Sequence, residues 1–190
     1  MEKLTGTINV GVLISGRGSN LKELIKYSIK NKTNWKIKLV ISNKKKAKGL
    51  RFAKKNKIAN FAIEKKKEIF EKNALNLLSK NNINILCLAG FLRILSKNFI
   101  NKFNKKIINI HPSLLPKYKG LNTHKRVLEA GEKYTGSTVH FVNAKLDSGK
   151  KIIQKRIKIL KRDTPTSLSK RVLKIEHDIF PKALNIICKS

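Results

Sequence analysis

The sequence predicts an α/β domain with a Rossmann-like, mostly parallel central sheet flanked by helices. Three observations predict it. Short β-branched apolar runs alternate with amphipathic helical stretches through the first half, which implies right-handed βαβ units. A glycine-bracketed turn, Ser15-Gly16-Arg17-Gly18-Ser19-Asn20, separates the first such run from the first helix. A later run, Lys106-Ile107-Ile108, ends in Asn109 and His111, two residues apart and so on one strand face. Open α/β sheets bind ligands beyond the carboxyl ends of their strands, where such groups would sit.

Ile8 to Ser15 reads as the first strand. Leu21 to Lys30 reads as a helix, with Leu21, Leu24, Ile25 and Ile29 on one face. Strands over Lys36–Ser42 and Ala59–Ile63 flank a helix over Ala47–Asn56. Lys67–Lys80 is helical with Phe70, Ala74, Leu77 and Leu78 inward. Ile83–Ala89 is a strongly apolar strand ending in Gly90-Phe91-Leu92-Arg93, and Ser96 caps a short helix to Phe103. Ile107–His111 is the fifth strand, and the loop after it is forced by two prolines and a glycine. Thr123–Ala130 is a helix stopped by Gly131. Ser137–Val142 and Lys151–Ile159 read as strands joined by the Asp147-Ser148-Gly149 turn. Pro165–Ile187 is the closing helix, with proline in its first turn.

The 190 residues suit one domain, 1–190, and 41% hydrophobic content is that of a folded chain. No apolar run approaches the roughly 20 residues that span a bilayer. The N-terminus, Met1 to Gly6, does not read as a secretory leader. Cys87 and Cys188 have no metal or redox spacing, so a reduced, cytoplasmic setting is expected. Lys+Arg 44 against Asp+Glu 11 gives a net charge of +33, which would suit a polyanion. The lysines are spread over predicted helices and loops, however, and few aromatics interleave with them. Biased composition therefore explains the charge better, and no specific nucleic-acid partner is expected.

The Gly16–Asn20 turn offers close backbone approach and free helix-start N–H groups, as an anion requires. It lacks the third glycine of a dinucleotide loop and the Gly-Lys-Ser/Thr of a Walker loop, so an ordinary capped turn explains it equally well. His111 alone would more often be a hydrogen-bonded structural residue, Asp147 a normal turn residue, and Glu176-His177 a surface pair. His124, His140 and His177 show no metal-ligand spacing, so no metal is expected.

Several ordered motifs together are far more specific. They are Leu13–Leu21, Leu88–Ser96, Asn109–Gly120, Gly136–Val142, Leu146–Gly149, Asp163-Thr164 and Glu176-His177. In these the chain resembles the phosphoribosylglycinamide formyltransferase family from Val10 to about Leu184. The resemblance implies transfer of a formyl group from 10-formyltetrahydrofolate to the amine of glycinamide ribonucleotide in purine synthesis. It implies that Gly18, Ser19 and Asn20 hold the ribose phosphate end and that Glu176 lies near the substrate amine. Leu92, Arg93, Ile94 and Leu95 would line the folate pocket. Asn109, His111 and Asp147 would form the catalytic group, with Asn109 also facing the folate.

That chemistry suits these residue types. An amine attacking a formyl carbon leaves an oxyanion, to which an amide N–H and a protonated imidazole can donate. A carboxylate beside the imidazole favours its charged form and could relay a proton with a bound water. Two positions depart from the resemblance. Lys67 stands where a folate-contacting arginine is common, and Lys150 replaces a proline after the aspartate turn.

The nearest rival is the formylating domain of methionyl-tRNA formyltransferase. It shares an Asn-x-His-Pro-Ser-Leu-Leu-Pro loop but has an additional C-terminal domain, which is not expected here. Formyltetrahydrofolate deformylase usually carries a second histidine where this chain has Pro112. A non-enzymatic nucleic-acid-binding protein would explain the charge but leave the ordered motifs without a cause. The sequence leaves the oligomeric state open.

Overall fold

A computed structural model describes residues 6–189, so residues 1–5 of the N-terminal stretch read above lie outside it. Elements follow one another as β1 (Ile8–Ile14), α1 (Ser19–Lys30), β2 (Trp35–Ser42), α2 (Gly49–Lys55), β3 (Ala59–Ala62), α3 (Lys67–Lys80), β4 (Ile85–Leu88), α4 (Lys97–Phe103), β5 (Lys106–His111), α5 (Thr123–Glu129), β6 (Tyr134–Phe141), β7 (Lys151–Lys158) and α6 (Pro165–Lys189). The sheet has seven strands in the order β3-β2-β1-β4-β5-β6-β7. The first five strands pair in parallel, and β6 and β7 add antiparallel. This is the mostly parallel, helix-flanked sheet that the sequence predicts.

Side-chain alternation along each strand feeds two cores, one on each sheet face. Val10, Val12 and Ile14 of β1 join Leu21 and Leu24 of α1 and Phe180 and Leu184 of α6. Leu13 of the same strand joins Phe70 and Leu78 of α3 and Phe99 of α4 on the other face. The two cores clamp β1 and β4 at the sheet centre. Strand order reverses between these two strands, and the crevice beyond their carboxyl ends is where open α/β sheets hold ligands.

Two of the boundaries that shift have a clear local cause. Helix α1 begins at Ser19 rather than Leu21, because Gly18 takes a left-handed backbone (φ 74°) and its carbonyl accepts from Lys22 N at 2.9 Å. Strand β6 starts at Tyr134, upstream of Ser137, because pairing with β7 continues to Tyr134–Lys158. On β7, Lys151, Lys155, Arg156 and Lys158 are exposed on the sheet edge, where charge discourages edge-to-edge pairing.

Candidate active site

Strand β5 delivers Asn109 and His111 to the mouth of a cavity of about 620 Å³. Its walls come from the loops after β4, β5 and β6 and from α6, including Leu92–Leu95, Asn109, His111, His140, Asp147, Asn20 and Glu176. The aspartate turn after β6 closes over the strand ends. Asp147 has a left-handed backbone (φ 45°) and accepts from Gly120 N at 2.8 Å, which pins the turn to the loop after β5.

Four groups cluster there. His111 Nδ1 lies 3.4 Å from Asp147 Oδ2, and both side chains are 7% exposed. His111 Nε2 lies 2.9 Å from the Tyr118 carbonyl. Both ring nitrogens thus face oxygen atoms, with the Nε2–Tyr118 contact at hydrogen-bond length and the Nδ1–Asp147 contact longer. His140 sits opposite Asn109 in the β5–β6 ladder. Its Nδ1 donates to Phe141 O at 2.8 Å, and burial lowers its pKa, against smaller raising contributions from Phe141 and Asp147. The neutral ring therefore offers Nε2 as an acceptor, 3.3 Å from Asn109 Nδ2. That contact leaves the second amide hydrogen of Asn109 for the cavity. The remaining His140 Nε2–Asp147 Oδ1 distance of 3.7 Å is too long for a hydrogen bond.

A second polar pair lies beside Asn20. Glu176 of α6 is 9% exposed and accepts from Asn20 Nδ2 at 2.7 Å. Burial raises its pKa to about 7, with the Asn20 bond pulling the other way. The surface-pair reading of Glu176 is therefore overturned: the face of α6 carrying it packs inward against α1. Asn20 Oδ1 is buried without a hydrogen-bond partner.

The β4 loop is tethered at both ends. Ser15 Oγ donates to Asn43 Oδ1 at 2.7 Å and accepts from Leu92 N at 2.9 Å. Glu71 accepts from Ser96 N at 2.8 Å and Ser96 Oγ at 2.5 Å. Arg93 crosses to α3, donating to Lys65 O at 2.8 Å above the Phe70 ring. Leu92 and Ile94, 62% and 61% exposed, present apolar surface at the rim.

The structure brings Asn20, Leu92–Leu95, Asn109, His111, Asp147 and Glu176 to one cavity. Gly18, Ser19 and Lys67 do not line it. Ser19 opens α1, and Lys67 is half-buried at the start of α3. Gly18 has a packing cause of its own, since a Cβ there would lie 2.5 Å from Gly49 Cα. The sequence reading missed His140, Ser15, Asn43 and Tyr118. For His140 a signal exists: strand alternation and the β5–β6 register place it opposite Asn109.

Comparison with known proteins decides the family. The pattern described as formyl transferase matches residues 8–184. The chain belongs to the formyl transferase family. Phosphoribosylglycinamide formyltransferase of Escherichia coli (strain K12) is 37% identical over 182 residues, covering 94% of this chain and 86% of that protein. The trifunctional purine biosynthetic protein adenosine-3 of Chironomus tentans is 46% identical over 186 residues, which is 94% of this chain but 13% of that protein. The chain thus spans a small fraction of the length of its trifunctional relatives. The crystal structure of phosphoribosylglycinamide formyltransferase from Anaplasma phagocytophilum superimposes with a TM-score of 0.92 at 41% identity, covering 95% of this chain and 86% of that one. Among the described residues, no helix is long and apolar enough to cross a membrane.

Proposed function

We propose that the protein transfers the formyl group of 10-formyltetrahydrofolate to the amine of 5-phosphoribosylglycinamide, a step of purine synthesis, in the cytoplasm. The observation that carries this reading is the convergence of Asn109, His111 and Asp147 on one cavity in a chain of this family. The neutral amine attacks the formyl carbon, and its oxygen becomes an oxyanion. Asn109 supplies the immediate donor through the amide hydrogen that His140 leaves free. His111, held between Asp147 Oδ2 and the Tyr118 carbonyl, adds positive charge that stabilises the oxyanion. Collapse of the intermediate breaks the bond from carbon to the folate nitrogen. The proton lost by the amine ends on that nitrogen, carried by Asp147 directly or through one water.

The folate ring lies along Leu92–Leu95 in this reading, where the Arg93, Ile94 and Leu95 amides lie between the two tethers. Lys67, two residues beyond the Lys65 carbonyl that Arg93 binds, adds charge for the folate's acidic tail. The acceptor enters past Asn20 and Glu176, with its phosphate at the α1 start around Gly18 and Ser19. No metal participates in this mechanism.

The test mixes the protein with both substrates and follows loss of formyl-folate absorbance. Turnover that requires the acceptor supports transfer; equal turnover without it makes the protein a hydrolase. Asp147→Asn should lower turnover heavily with modest change in either KM. An unaltered rate would leave Asp147 a turn residue only.

A further inference from the structure

Tyr118 holds a left-handed backbone, with φ 56°. A bulky residue rarely adopts it, and such a conformation persists where its surroundings over-determine it. Here it aims the Tyr118 carbonyl at His111 Nε2, 2.9 Å away. The grip on Tyr118 comes from outside the cavity. Its Oη donates to Glu132 Oε1 at 2.9 Å, and Lys117 Nζ donates to the same oxygen at 2.8 Å. The Arg126 guanidinium lies 5.5 Å from the centre of the Tyr118 ring, and its Nη1 donates to Lys119 O at 2.7 Å. Lys117 first, then Tyr118, hold the Glu132 carboxyl below its ordinary pKa. Glu132 follows α5 and is not among the residues that line the cavity.

We propose that Glu132, acting through Tyr118, is a positioning residue for the His111 imidazole. The path is short: carboxylate to phenol, phenol through its own residue to the backbone carbonyl, carbonyl to ring nitrogen. The rival explanation is a surface ion pair between Lys117 and Glu132, and exposed pairs of this kind do little for stability. It explains neither the second donor on the same oxygen nor the left-handed Tyr118. A positioning role puts the effect on turnover, because misplacing a catalytic group costs rate while ground-state binding persists. The inference rests on the proposed reading that His111 acts in formyl transfer.

The experiment compares Glu132→Ala, Tyr118→Phe and the double variant with the unmodified protein. Each single variant should lower kcat about tenfold, the scale of one lost orienting hydrogen bond, with both KM values within about twofold. The double variant should be no slower than either single one, since all cut the same path. Glu132→Gln keeps an acceptor for the phenol and should recover most of the rate. In ligand-free ¹⁵N-labelled protein, Tyr118→Phe should move the His111 ring-nitrogen resonances, assigned by their loss in His111→Asn. Unchanged kcat in a folded Glu132→Ala, or additive losses in the double variant, overturns the proposal. If the unmodified protein transfers no formyl group, the functional reading falls. The resonances then decide the tether: movement sustains it and constancy overturns it.

Discussion

Asn109 and His140 face each other across the β5–β6 ladder with Nδ2 and Nε2 3.3 Å apart, and this contact sets which way the amide points. His140 can accept because its Nδ1–H is committed to Phe141 O at 2.8 Å and because burial keeps the ring neutral. In the proposed mechanism one histidine thus aims the oxyanion donor without touching the reacting atoms.

The first prediction follows. Asn109→Ala should cost on the order of 10²–10³ in turnover, the scale of a lost oxyanion donor. His140→Phe keeps bulk but removes the acceptor, so the amide can rotate. It should cost about tenfold in kcat with little change in KM, by loss of one orienting hydrogen bond. Single-turnover rates at saturating substrates check both. An Asn109→Ala/His140→Phe double variant as slow as Asn109→Ala alone would place them in one unit.

The second concerns pH. Glu176 titrates near 7 in the fold against an ordinary value of 4.5. A raised carboxyl pKa means that the folded state binds the proton more tightly than the unfolded chain. Stability from this group is full below about 4.5 and falls as pH rises to about 7. The difference corresponds to about 3 kcal/mol, an order-of-magnitude value for a side chain this deeply buried. Glu176→Gln keeps an acceptor for Asn20 and cannot ionise. Urea unfolding at pH 5 and pH 8 should show a smaller loss for the variant. An equal loss in both proteins would remove Glu176 as the cause.

Much of this was legible in the sequence because period and punctuation agree locally. The Val10–Ile14 run, the Asn109/His111 pair and Pro165 at the start of α6 each combine an apolar period with a turn or capping residue. Asn109 and His111 share a strand, so their common destination followed from strand geometry. Asp147 reached the same site in the sequence reading only through family resemblance, because its approach depends on how the β6–β7 turn folds over Gly120. Glu176 reads as a surface residue on residue type alone, and only the family resemblance places it near the substrate, because its burial depends on the α1–α6 contact, between segments 156 residues apart. His140, Ser15 and Tyr118 act through register, through a tether and through a backbone carbonyl, none of which leaves a mark in residue type.

The third prediction tests the tether at Ser15. Its hydroxyl links Asn43 of the β2 end to Leu92 N of the β4 loop. Ser15→Ala leaves Leu92 N without that partner at the wall of the cavity. The KM for the folate donor should rise about tenfold while kcat changes less, by the scale of one lost buried hydrogen bond. Amide exchange at Leu92 should quicken in the ligand-free variant. Unchanged donor KM together with unchanged exchange would make Ser15 a packing residue alone.

The last prediction separates two neighbours that the sequence groups together. Gly18 has φ 74°, and a Cβ on it would stand 2.5 Å from Gly49 Cα and 3.3 Å from Gly49 N. Those are backbone atoms that cannot swing aside, so Gly18→Ala strains the α1–α2 junction whatever binds nearby. It should lower the unfolding midpoint in the absence of substrate. Ser19 is half-buried at the first position of α1 and contributes no side-chain cap to it. Ser19→Ala should therefore leave stability within about 0.5 kcal/mol, as for other substitutions that break no buried contact. If Ser19 holds the acceptor's phosphate, that variant should still raise the acceptor KM severalfold, with the donor KM unaltered. Thermal unfolding and two-substrate kinetics on the pair distinguish the roles. A stable Gly18→Ala would remove the packing cause assigned to Gly18, and a Ser19→Ala with normal acceptor KM would place the phosphate elsewhere than the start of α1.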